Sequence, residues 1–244
     1  MGCGSSSSAP EQCGSTLKAI FNITKDDLSK PTRILGDKLE DNEFPAFTGL
    51  NKPDCCTFKI DEQIIPVTLN HQFNSEGRHE VTIEMKKGEF LEDMSHMFQG
   101  CDKLEEIDGS NFDTSHTTNM SYLFFECANL KKVDMKNWNV TKVKSFECLF
   151  NSCSALEEIN LPDWELACAT NIENAFANCS TLTKANVANW SMESITEIKT
   201  VFIDCKMLQD VNVSGWKFPK ANKILGIFQG CEKLKKVDLS KWDM

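Results

Sequence analysis

The stretches FFECANLKKVDMKNW (Phe124–Trp138) and FANCSTLTKANVANW (Phe176–Trp190) share one spacing, with Phe, Cys, Leu and Trp in fixed phase. Outward from them, cysteines recur at Cys101, Cys127, Cys153, Cys179, Cys205 and Cys231, an unbroken interval of 26 residues. The same interval joins Phe98, Phe124, Phe150, Phe176, Phe202 and Phe228, and again Leu104, Leu130, Leu156, Leu182, Leu208 and Leu234. A third column runs Phe112, Trp138, Trp164, Trp190, Trp216 and Trp242, so all 5 tryptophans of the chain occupy one position of the repeat. Six copies fill residues 91–244, and a fixed period of this length marks a solenoid.

The middle of each unit has L-x-x-L-x-L spacing. Alternation at Val133 and Met135, or Val211 and Val213, suits a short strand with one buried face, and Ala185 is the one weak inward position. Met120, Leu123 and Phe124 recur at three and four, which predicts a short helix or helical turn. One unit cannot bury its own apolar stripe, but stacked units share a continuous core. The expectation is an α/β repeat: a leucine-rich-repeat solenoid with a parallel concave sheet and short helices or turns on the convex side. Residues stacked on copies of themselves must be self-compatible, as small thiols and offset aromatics are. The tryptophans are therefore expected to be buried.

FQGCDKLEEID (Phe98–Asp108) and FDTS (Phe112–Ser115) resemble the BspA-like leucine-rich repeats, in the variant found in mycoplasma lipoproteins, bacterial surface proteins and protists. The resemblance covers the six units and implies a surface or interaction protein with no enzymatic residues. It departs from those proteins in lacking an export signal.

With 26 basic and 36 acidic residues the formal charge is −10, which opposes attraction to nucleic-acid phosphates and anionic lipid surfaces. No run of about 20 apolar residues and no secretory signal is present. The 12 cysteines are accordingly expected as thiols. No C-x-x-C pair occurs; vicinal Cys55 and Cys56 have only His71 and His79 nearby, so no metal site is expected.

Met-Gly-Cys-Gly-Ser-Ser at the start matches M-G-x-x-x-S, which exposes Gly2 for myristoylation, with Cys3 placed for palmitoylation as the second anchor. The alternative is a disordered Gly- and Ser-rich tail. Residues 1–16 read as an acylated flexible tether and 17–54 as a linker or weakly helical segment. Residues 55–90 turn β in character, Ile64, Ile65, Val67 and Leu69 followed by Val81, Ile83 and Met85, and are expected as a hairpin cap on the first rung. The chain stops two residues past Trp242, so an uncapped last rung would suit self-association or a partner.

The side chains pointing away from the core would line the concave face and bind a protein ligand: Glu105, Asp108, Lys131, Lys132, Asp134, Lys136, Glu157, Asn160, Lys184, Asn186, Asp210, Asn212, Lys235 and Asp238. Alternating signs across rungs would equally relieve like-charge repulsion. The Asp or Asn column at 108, 134, 160, 186, 212 and 238 could ligate calcium or form a hydrogen-bonding ladder; no glycine-rich calcium loop accompanies it. No G-x-S-x-G, phosphate-binding glycine loop or H-E-x-x-H occurs, and the four histidines share no column. The expectation is a non-enzymatic scaffold without cofactor, lipid-anchored at the cytoplasmic face of a membrane. The alternative is an exported cell-surface adhesin, for which the six N-x-S/T triplets would be glycan acceptors.

Overall fold

The computed structural model describes residues 14–37, 46–50, 52, 54–162 and 164–242. A β-rich cap comes first, with strands β1 (Thr16–Ile23), β2 (Thr32–Arg33), β3 (Cys56–Ile60), β4 (Gln63–Ile64), β5 (Asn70–His71) and β6 (Gly77–Met85). The repeats contribute β7 (Leu104–Asn111), β8 (Lys132–Asp134), β9 (Glu158–Asn160), β10 (Lys184–Asn186), β11 (Glu197–Lys199), β12 (Asp210–Asn212) and β13 (Lys223–Leu225).

In β1 the residues Leu17, Ala19, Phe21 and Ile23 are all buried, the period-two burial of a strand with one face in the core. A weak helix was expected over this stretch; among the described residues the only helical element is a 3-10 turn at Lys25–Ser29. β1 pairs antiparallel with β6 on one side and with β7 on the other, so the cap continues the sheet of the first repeat. The expected hairpin also has a different partner. β6 runs antiparallel to β3, Phe58 opposite Ile83, and residues 65–69 lie outside that pairing. Asp27 ties cap to solenoid through Lys103 at 3.0 Å. The Thr24 hydroxyl and main chain, together with Lys103, hold its carboxyl down at about 2.

The repeats coil as a β-solenoid of about five turns. On one face β7 and β8 are parallel, as are β9, β10 and β12, each residue paired with the one 26 positions on. The convex helices expected from Met120, Leu123 and Phe124 do not form. In their place alternate backbone N–H groups reach the next rung: Met120 to Ser145 at 3.0 Å, Tyr122 to Glu147 at 2.8 Å, Phe124 to Leu149 at 2.9 Å and Glu126 to Asn151 at 2.9 Å. Two columns of left-handed residues make this geometry. One holds His96, Tyr122, Cys148, Asn174, Thr200 and Gly226, the other Gly100, Glu126, Ser152, Asn178, Asp204 and Gly230. A left-handed residue every fourth position interrupts a right-handed helix and turns its donors outward along the solenoid axis.

Inside, the phenylalanine column stacks with ring centroids 5.0–5.7 Å apart from Phe98 to Phe228. The repeat cysteines are free thiols, buried from Cys101 to Cys205 and half-buried at Cys231. From Cys127 to Cys231 each thiol donates to the phenylalanine carbonyl 29 residues before it, at 3.0–3.1 Å. Burial pushes the Cys127 and Cys153 thiols up, and that of Cys231 up to about 12. Trp138, Trp164, Trp190 and Trp216 are buried as the repeat requires, and Trp242 is half-covered on the last rung.

Trp190 packs between Trp164 and Trp216, at 6.1 and 5.9 Å, whereas Trp242 has Trp216 on one side and no further rung on the other among the described residues. Trp190→Ala therefore lowers stability by roughly 3 to 5 kcal/mol in denaturant titration, and Trp242→Ala by much less; equal losses would contradict the stacked column. Thr200 is β-branched, left-handed at φ 50°, and its buried Oγ1 has no hydrogen-bond partner. Thr200→Gly is expected to raise stability by about 1 kcal/mol in the same measurement, since it removes both costs.

Candidate interaction face

The strand face exposes the outward-pointing position of each rung. Lys132, Glu158, Lys184 and Asp210 form one column beside the core residues Ile159 and Ala185, and Asp108, Asp134, Asn160, Asn186 and Asn212 form the next. Lys131 and Glu157 sit at the bends that lead into β8 and β9 and are exposed, as is Lys136 beyond β8. Lys235 and Asp238 are exposed on the sixth rung, in a stretch past β13 that carries no strand among the described residues.

Glu105 is the exception among the expected binding residues. It is 8% exposed, because β1 and β6 of the cap cover it: Asn22 donates to it at 3.2 Å, Arg78 lies 3.6 Å away, and Lys131 pairs with it at 2.7 Å. Lys131, then Asn22, lower its carboxyl, and it belongs to the cap junction rather than to a free surface. Glu106 is likewise engaged, by Arg78 at 3.0 Å and Lys132 at 3.2 Å. Charge alternation across rungs is thus realised between the first two. Beyond them, Glu157 and Glu158 form no ion pair among the described residues.

Four members of the Asp and Asn column have a local explanation, while Asn186 Oδ1 is buried without a hydrogen-bond partner. Asp108 accepts the N–H and hydroxyl of Ser110, Asn212 those of Ser214, Asp134 the N–H of Lys136 and Asp238 that of Ser240. Each side chain caps the backbone two residues on, a turn for which Asp and Asn are suited. The Ser110 hydroxyl and N–H hold the Asp108 carboxyl below its ordinary range. Pro162 has no N–H to offer, so Asn160 accepts instead from the Asn186 amide at 2.7 Å. The same turn accounts for three of the N-x-S/T triplets, at Asn119, Asn139 and Asn212, where Oδ1 accepts both groups of the following Ser or Thr. No cluster of three or more His, Cys, Asp or Glu placed to hold a metal occurs among the described residues. His79, near vicinal Cys55 and Cys56 in sequence, is held by Asp61 at 2.6 Å and the Ser75 carbonyl at 2.9 Å.

Several depressions run along this side, including one of about 560 Å³ over β9, β10 and β12 and one of about 420 Å³ over β7 and β8, and two adjoining ones lie between β8 and β9. One, of about 560 Å³, lies between Lys131–Lys136 and Glu157–Asn160; the other, of about 530 Å³, continues it past Trp138 and Trp164. Sequence reasoning placed the charged rims but not the opening. Its one local signal is Pro162, which stands where the other rungs carry Lys136, Ala188, Ser214 and Ser240.

Asn212→Ala removes two hydrogen bonds and is expected to cost about 1 kcal/mol by thermal unfolding, whereas Asn160→Ala, which has no such turn to break, costs less. Equal costs would overturn the turn-capping role of the column.

No curated protein and no solved structure matches the chain. A family model matches residues 67–185 and 170–244, well over half of the length, and the family falls within the BspA-like and mycoplasma repeat group that the repeats resemble. The chain belongs to the family described as "Mycoplasma protein of unknown function, DUF285".

Proposed function

We propose that the protein is a non-enzymatic interaction module that binds a protein partner on the strand face, with Asp108, Lys132, Lys136, Glu157, Lys184 and Asp210 among the contacting residues. The observation that carries it is the contrast between constant core columns and an exposed face whose residues differ from rung to rung. Stacked short strands hold such side chains on a rigid frame, which suits recognition of an extended surface. The membrane part of the reading rests on Gly2 and Cys3, which lie outside the described residues. Acyl chains there would hold the module at the cytoplasmic face of a membrane, two chains being needed for stable attachment. No helix among the described residues is long and apolar enough to cross a membrane.

A second reading, an exported surface adhesin, is favoured by membership of a family grouped with BspA-like repeat proteins. Intact-mass analysis of the native N-terminus separates the two. Loss of Met1 with a myristoyl group on Gly2 and a thioester on Cys3 supports the anchored module; a processed terminus with labelling on intact cells supports the adhesin. Affinity capture with the full chain and with the Lys184→Glu/Asp210→Lys variant tests the face: a partner retained equally by both would sink the assignment.

A further inference from the structure

Among the described residues the ladder that joins successive strands is interrupted between β8 and β9, and again past β12, where Lys235 does not donate to Gln209 nor Val213 to Asp238. β8 is the last strand of the sheet built on the cap, and β9 is the first of a separate sheet with β10 and β12. The repeat identifies the missing bonds. Lys131 donates to the Glu105 carbonyl, Thr183 to Glu157 and Gln209 to Thr183, at 2.8–3.0 Å, but the equivalent bond from Glu157 to Lys131 is not formed. Leu161 donates to Asn186 and Val187 to Asn212, but Met135 does not donate to Asn160.

The tryptophan column breaks at the same rung. Nε1 of Trp138, Trp190, Trp216 and Trp242 each donates to the carbonyl 29 residues before it, at 2.7–3.0 Å. Trp164, 4% exposed, has a buried Nε1 with no partner, and its ring stacks on Trp190 but not on Trp138. The turn face is intact alongside, Phe124 to Leu149 at 2.9 Å and Phe150 to Ala175 at 2.7 Å, so the coil opens on the strand side alone. At that opening lie the two depressions, with Val133 and Ile159 in the lining, one lip carrying Lys131, Lys132 and Lys136, already paired with Glu105, Glu106 and Asp134, and the other an acidic lip of Glu157 and Glu158 that forms no ion pair among the described residues.

We propose that this opening seats an extended peptide segment of a partner protein, added to the strand edges of β8 and β9. The inference rests on the reading of the strand face as a recognition surface and names its ligand. Parted strand edges offer main-chain donors and acceptors in alternation, which an extended peptide matches at strand spacing. Here the unmade bonds supply them: an N–H at Glu157, a carbonyl at Lys131, and the Trp164 indole for a further peptide carbonyl. Alternate peptide side chains then face Val133 and Ile159. The intervening ones lie between the two lips, where Glu157 and Glu158 favour a cation beside β9. Burying a donor unpaired is unfavourable, so a ligand that pairs the Trp164 indole gains the energy that the free protein forgoes.

The test selects from a displayed library of random linear peptides on the full-length chain and measures the best synthesised peptide by calorimetry. Trp164→Phe keeps a ring and deletes the donor, and is expected to weaken binding roughly tenfold, the worth of one hydrogen bond in a desolvated site. Trp190→Phe, whose Nε1 already bonds Leu161, leaves affinity unchanged. In 15N-labelled protein the Trp164 indole resonance shifts on peptide addition while that of Trp216 stays, a readout that a folding defect does not mimic. Failure to enrich any peptide, or equal effects of the two phenylalanine variants, overturns the proposal. Peptide binding lost in Asp210→Lys but retained in Trp164→Phe overturns the seat and leaves the strand-face reading standing; binding insensitive to both overturns the two together.

Discussion

The constraint on which the molecule depends is the backbone bond from one turn to the next, N–H of one residue to the carbonyl 25 positions on. It explains why the period cannot drift. One residue inserted into a turn would put the donors and acceptors that span it out of phase, at a cost comparable to a lost hydrogen bond for each buried group left unpaired. Sustaining these bonds through the turn face requires left-handed backbone at two positions per rung, and the chain accepts Tyr122, Glu126 and even Thr200 there. Such strain persists only where the surrounding structure over-determines it.

Fixed phase then sets the interior. Because each rung sits over the last, Phe, Cys and Trp meet copies of themselves, and polar atoms must be satisfied along the axis. The thiol and indole donors do this by reaching the carbonyl of the preceding turn. Burial holds the Cys127 and Cys153 thiols neutral, which suits a donor in a core.

Outside the core the same frame leaves freedom. Residues on the strand face need only avoid like-charge clashes, so their identity can follow a partner. The cap uses the first rung, engaging Glu105 and Glu106 with Asn22 and Arg78 and removing that edge from solvent. The interruption between β8 and β9 has no such cover, and it is where strand edges, an unpaired indole and the acidic Glu157 and Glu158 converge.

The sequence by itself determined the repeat, the buried columns and the outward positions from Asp108 to Asp238, because a period of 26 and an alternation of two are one-dimensional signals. It did not distinguish a helical turn from backbone interrupted by left-handed residues at Tyr122 and Glu126, because both put apolar residues at three and four; the choice depends on bonds to a rung 25 residues away. It misplaced β1, whose alternating Leu17, Ala19, Phe21 and Ile23 were legible but whose partners β6 and β7 lie more than fifty residues on. The burial of Glu105 and the parting of β8 from β9 were decided by tertiary structure alone: each depends on how two distant backbones meet, and one chain position carries no record of the neighbour it will lack.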